Sequence, residues 1–573
     1  MRWRPAGAAM LLAAARGVHA QSVAGVATVA CAGQRIDGVT IRSSAPTAAA
    51  IRKVPYLAQI VSNVHVTTNP DVTRRFLLLG EGDRCDELRR AESERILRAQ
   101  PFIAEASVLV IPDSLGGVEL DVRTTDELSL VFDGSVGAGS PTVRFLRLGD
   151  ANVAGEGVYL AADWRAGGPY RTGFGGRFVD NQLFGQPYTL TTEVQRNPLG
   201  AEWQADLSYP YYTDIQRVAW SGRAGETKNY VQFRNDDNSS HALYVVRNYF
   251  DVGGIARVGS PGRLALFGTS LSGDDESPGT QQVLVTNRGF AADTSSELMG
   301  RYDAHRIARI NALVGIRDIG FRRVRGFDAL TATQDMPVGL QLGTMVGRSL
   351  AILGSRDHDV FTAGDLYVGA VGYNNALRVQ LEGEGRYSND DGEWDGVLTS
   401  GRAVEYFKPS NYNTLTASLE FSGGWRQRLP FALTLGDRDG GVRGFASSNT
   451  PGGQRLVARV EDRLFTGQPF NLGDMGVALF ADAGRLWAGD IPYGVRTPIR
   501  KAVGVSLLAT VPPGSARLWR IDLAVAMNPE ARGRRFELRM SSQDKTTFFL
   551  PEPNDIEATR ERTVPSSIFR WPR

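Results

Sequence analysis

Near the C-terminus of this 573-residue chain, apolar and polar residues alternate in one run after another. Leu456, Ala458 and Val460 interleave with Arg455, Arg459 and Glu461, and Val503, Val505 and Leu507 with Gly504 and Ser506. Phe536, Leu538 and Met540 interleave with Arg535, Glu537 and Arg539, and Ile521, Leu523, Val525 and Met527 make one face of a further run. Successive side chains of a strand point to opposite faces, so each run has an apolar face and a polar one. From Leu128 onward the same texture is broken by Gly, Asp, Asn, Ser and Pro turns. No segment offers the roughly 20 apolar residues of a membrane helix. A barrel strand crosses a bilayer with only about 10 alternating residues, and closure leaves no unpaired edge in lipid. Apolar faces toward lipid and polar faces toward a wet lumen are the reading we adopt. A soluble protein of several packed sheets is the alternative.

The N-terminal part has a different texture. Arg2 and Arg4, the apolar stretch Ala6 to Ala15 and the small-residue site Val18-His-Ala20 read as a secretory signal peptide over 1–20. Residues 21–127 read as a small αβ domain. Arg35 to Arg42 alternates as a strand, and Asn69-Pro70 is a helix start with a cap and a first-turn proline. Asp86 to Gln100 is a strong helix former with Leu88, Ala91, Ile96 and Leu97 on one side. Ser107 to Pro112 and Gly117 to Thr124 read as paired strands. The chain holds two cysteines, Cys31 and Cys85, both in this part. In an exported protein an even pair implies one disulfide, with two free thiols as the alternative.

Two short stretches stand out in the alternating region. Gly440 to Phe445 reads G-G-V-R-G-F, a loop tip presenting Val442, Arg443, Gly444 and Phe445. Further on, Val477 to Gly484 alternates so that Val477, Leu479, Ala481 and Ala483 share an apolar face and Phe480, Asp482 and Gly484 the other. A desolvated carboxylate needs a cationic partner, and the planar fork of Arg443 can hold one with two parallel hydrogen bonds. A second V-R-G-F at Val324 to Phe327 has neither a preceding glycine pair nor a following F-x-D-x-G, and Arg325 is read as part of a strand end or another loop.

The V-R-G-F tip followed by F-x-D-x-G resembles the paired motifs of the BamA/TamA superfamily of outer-membrane assembly barrels. The stretches ILRAQPFIAEASVLV and GVELDVRTTDE, in the order strand, helix, helix, strand, strand, resemble one POTRA domain. The resemblance implies a mainly β fold: a 16-stranded antiparallel transmembrane barrel over 128–549, one POTRA-like periplasmic domain over 21–127, and a C-terminal tail over 550–573. Sixteen strands would leave about 26 residues per strand and loop. It implies a lumenal loop tip at Val442–Phe445, and a barrel-wall partner at Phe480, Asp482 and Gly484. The implied role is insertion or translocation of outer-membrane or secreted proteins. Its partners would be unfolded clients, outer-membrane lipid and periplasmic chaperones or a periplasm-spanning partner. A passive or substrate-specific pore and a two-partner-type secretion or display scaffold are the alternatives. The tail is read either as a periplasmic extension or as carrying the true last strand at Ser566 to Trp571.

Nothing in the sequence points to catalysis, a cofactor or a metal. The five histidines have no ligand spacing. Gly268 to Gly273 matches a nucleophile elbow only loosely, and Asp274-Asp-Glu276, in the stretch Gly273 to Gly279, reads as a solvated loop. A net charge of +2 points to no nucleic-acid partner.

Overall fold

The computed structural model describes residues 28–46, 65–114, 116–136, 143–165, 172–234, 239–286, 289–437, 440–446, 448–530, 535–543 and 553–560. The signal-peptide segment and the alternative last strand at Ser566 to Trp571 lie outside the described residues.

The N-terminal domain begins with β1 (Ala32–Ser44), α1 (Pro70–Arg74) and β2 (Arg84–Asp86). It continues with α2 (Glu87–Ala99), β3 (Ile103–Pro112) and β4 (Val118–Asp126). Asn69 caps α1 by accepting from the Asp71 amide at 3.0 Å, and Asp86 caps α2 by accepting from the Arg89 amide at 2.9 Å. The sheet order is β2-β1-β4-β3, with β1 and β4 parallel from Ile36 opposite Val118 to Ser44 opposite Thr125. Its core gathers Ile36, Val72, Phe76, Ile96, Leu97, Phe102, Val108 and Val122. Leu88, placed by periodicity on the apolar side of α2, is instead exposed. Cys31 and Cys85 form a disulfide that ties β1 to the short β2, which the sequence reading had not marked.

The rest of the described chain is a closed antiparallel barrel of twenty strands, from Leu130–Val136 to Phe536–Gln543. A further short strand, Gly289–Ala292, pairs among the described residues only with the end of Arg263–Thr286. The expectation of sixteen strands is corrected for a physical reason. The first six strands, between Leu130 and Tyr209, hold only 7 to 11 residues each. That is about what a tilted membrane strand needs, and tight turns join several of them. Division by an average length merges them. Later strands are much longer, such as the 24 residues of Arg263–Thr286.

That long strand also corrects the loop expected at Gly273 to Gly279. Asp274 and Glu276 face inward and are buried, with Asp274 accepting from Arg247 Nε at 2.9 Å. Asp275 between them points outward. Elsewhere the outward positions are Val477, Leu479, Val503, Val505, Leu507, Ile521 and Leu523, all exposed and apolar. An apolar outer belt around a polar interior is the pattern of an outer-membrane barrel.

The N-terminal domain sits against one end of the barrel. Arg98 makes a two-pronged bond to Asp335 at 2.8 Å for each contact, and Arg95 Nη2 donates to the Tyr212 carbonyl at 2.6 Å. Thr213 donates to Glu92 at 2.6 Å, and Ser515 to Glu127 at 2.6 Å. These barrel partners lie at or beside the turns around 210–217, 326–332 and 511–517. Arg325 also lies at this end, at the close of strand His305–Arg325, exposed and donating to the Thr331 carbonyl at 2.9 Å.

Candidate functional site

The loop that joins strand Asn413–Trp425 to strand Gln454–Gly467 opens at the end opposite the N-terminal domain. It folds inward. Its two arms are bridged by paired backbone hydrogen bonds between Leu433 and Gly452, both 2.8 Å. The tip then tightens, with the Gly441 amide donating to the Gly436 carbonyl at 2.9 Å and Val442 to Leu435 at 3.1 Å. Gly444 follows with φ +86, in the left-handed region that glycine adopts without strain. It lies against Ala502 and Ala524, so small wall residues accept the turn.

Arg443 is held from three sides. Nε and Nη2 donate to the two oxygens of Asp482, both at 2.8 Å, and the Arg443 amide donates to Asp482 Oδ2 at 3.2 Å. Nη1 donates to Glu461 at 2.7 Å. The guanidinium carbon stands 3.6 Å from the ring centroid of Phe480, a cation–π contact. The Asp482 side chain is fully covered and that of Arg443 is 11% exposed.

The other motif residues have local reasons too. A Cβ at Gly484 would come within 2.5 Å of Val442 Cγ2, so the wall glycine leaves the space that the loop valine fills. Val442 and Phe445 are buried with Leu398, Phe431, Leu433, Leu435 and Ala526. Phe480, Asp482 and Gly484 share the inward face of strand Asp474–Trp487, while Met475, Val477 and Leu479 point outward.

The clamp reaches further than the two motifs. Glu461 accepts from Arg520 at 3.0 and 2.7 Å and from Arg463 at 2.6 Å as well as from Arg443. Asp522 lies 3.3 Å from Arg520. Three guanidinium groups thus face three carboxylates inside the lumen. Alternation had put Glu461 on the polar face, but no local signal marked it as the centre of this network. Arg459 donates to the carbonyls of Gly440 and Gly441 at 2.8 and 2.7 Å.

The loop also braces the last strand. Arg539 pairs with Asp437, and the Ala446 amide donates to Glu537 at 3.1 Å. That strand, Phe536–Gln543, pairs with its preceding neighbour from Leu518 opposite Gln543 to Val525 opposite Phe536. On its other side, among the described residues, it meets the first strand at Met540 opposite Gly134 alone. The barrel closes at a short seam, and the inward loop is bonded to one side of it.

No family model matches the chain, and no curated protein matches it. Solved structures align over most of the chain. CdiB from Escherichia coli aligns at a TM-score of 0.43 and 11% identity, covering 89% of this chain and 76% of that one. CdiB from Acinetobacter baumannii aligns at 0.37 and 11% identity, covering 89% and 74%. BamA from Haemophilus ducreyi lacking POTRA domains 1-3 aligns at 0.35 and 11% identity, covering 89% and 85%.

Proposed function

We propose that this protein is a non-enzymatic outer-membrane barrel that inserts or translocates other proteins, with the αβ domain on the periplasmic side. The observation that carries the reading is the seam. Among the described residues the first and last strands are in register at Met540 opposite Gly134 alone, and an edge so sparsely paired there can take up an incoming strand. The inward loop, locked through Arg443 and bonded to Glu537 and Arg539, sets the position of that edge from inside. The resemblance of the two motifs to those of the BamA/TamA superfamily supports the same reading.

Depletion of the protein, followed by an inventory of outer-membrane and secreted proteins, tests it. Loss of a defined set of proteins is the expected result. An unchanged inventory, together with a steady conductance of the purified barrel, would favour a passive pore instead.

A further inference from the structure

The last barrel strand ends at Gln543, opposite Leu518, at the end where the N-terminal domain docks. The chain is next described at Pro553, and there it is inside the lumen, next to the inward loop. A short helix, Asn554–Thr559, follows. Asp555 receives a two-pronged bond from Arg455, at 2.6 and 2.9 Å. Arg455 is the second residue of the strand leading out of the loop, so the tail has reached the far half of the barrel.

Three further contacts seat this segment. Ile556 is fully buried in the same apolar cluster as Val442, Phe445, Leu433 and Leu435 of the loop. Arg560 donates to Ser400 at 2.6 Å and lies 3.2 Å from Glu382 and 3.4 Å from Glu384 on the wall. A Cβ at Gly440 would come within 2.7 Å of Pro553, so tail and loop tip touch directly. On its other side, Glu557 and Ala558 face a cavity of about 620 Å³ lined by Arg165, Arg177, Glu193 and Arg223 of the opposite wall.

We infer that the lumen contains a binding seat for a short peptide of the pattern acidic, aliphatic, basic, and that residues 553–560 are its tethered occupant, a plug that must leave before another chain enters. Each feature of the segment has its own receptor: a guanidinium for Asp555, an apolar pocket half made by the loop for Ile556, and two carboxylates for Arg560. The charges are covered, so the seat is specific for sign and spacing; a segment with the charges exchanged would leave several buried groups unpaired. The space vacated by the plug would join the arginine- and glutamate-lined cavity beyond Glu557. That an entering chain is a client rests on the proposed transport role; the seat and the plug do not.

Single-channel conductance in planar bilayers tests the plug without any client. The comparison is full-length protein against the chain ending at residue 552, and against full-length Asp555→Arg, with folding of each checked by heat-modifiable gel migration. We expect both variants to conduct at least several-fold more than the parent. A synthetic peptide of residues 553–573 should close the truncated barrel, and the same peptide carrying Asp555→Lys and Arg560→Glu should not. Equal conductance of folded parent and variants overturns the plug, and closure by both peptides or by neither overturns the specific seat. If the truncated chain does not fold, the Asp555→Arg protein decides by the same conductance criterion. Failure of the transport reading would show separately, as an unchanged protein inventory after depletion.

Discussion

Arg443 is bonded to Asp482 and Glu461 at once, and only a planar, multiply donating cation can do so. Arg443→Lys keeps the charge but not the fork, and we expect it to lose most of the anchoring. Arg443→Ala leaves the covered Asp482 carboxylate without this partner, and Asp482→Ala leaves Arg443 with Glu461 alone; breaking a buried pair costs on the order of 3–5 kcal/mol. That loss falls on the loop, because the strands on either side keep their ladders. Proteolytic cleavage at the loop should therefore speed up while heat-modifiable migration persists, and the double variant should be little worse than either single one. Additive effects of the two substitutions would refute the coupling. Arg325→Ala, at an exposed strand end on the other side of the barrel, should be milder than either. Gly484→Ala is a second residue-scale test. Its Cβ meets Val442 Cγ2 at 2.5 Å, an overpacking worth about 1–3 kcal/mol. Val442→Ala in the same chain should restore much of the loop's protection; no relief from it would mean that Gly484 serves something other than this contact.

At the scale of elements, helix α2 docks on the barrel through charge. Burial pushes the Glu94 carboxyl up, but Arg98, Arg323 and Arg90 outweigh it and hold the group below the usual glutamate value of 4.5. A carboxylate whose folded pKa is lowered contributes fully above its unfolded value and loses that contribution as pH falls through the folded one. Arg90 and Arg98 belong to α2 itself and only Arg323 lies on the barrel, so the docking share of this dependence runs through the Glu94–Arg323 pair, which should hold at neutral and mildly acid pH and weaken only below the usual glutamate range. Amide exchange of α2 across that range reads the release, and Glu94→Gln should weaken docking at neutral pH and flatten the profile. A profile unchanged by Glu94→Gln would mean that other groups set it.

The element scale is also where sequence and structure part company. Alternation suffices to put Phe480 and Asp482 on the inward face, because one face of each C-terminal strand is wholly apolar. It fails over Leu130 to Tyr209, where strands are short and their turns tight, and at Gly273 to Gly279, where inward carboxylates imitate a solvated loop. The arginines that share Glu461 come from the inward loop (Arg443), from two residues along its own strand (Arg463) and from a strand three places round the barrel (Arg520), so no local pattern records the set. The seat of residues 553–560 is equally invisible, since its receptors Arg455, Glu382 and Glu384 belong to other strands. A helix of six residues with two prolines before it looks like an ordinary polar tail.

For the whole molecule, the account rests on one barrel opening at one place. The αβ domain covers the end at which the last strand finishes, the inward loop enters from the other end, and the loop bonds to the strand that forms one side of the seam. Among the described residues the twenty-stranded barrel closes on a single register pair, Met540 opposite Gly134, and the functional reading depends on that seam being able to open. The most direct measurement locks it. Cysteines at Gly134 and Met540, opposed across the seam, can be joined by mild oxidation after the barrel has folded. The control pair Leu523 and Leu538 is opposed within an ordinary ladder. In cells that depend on the variant, locking the seam should deplete the same outer-membrane or secreted proteins as depleting the whole protein, and reduction should restore them, while the control pair has no effect. A locked seam with an undisturbed inventory would contradict the account.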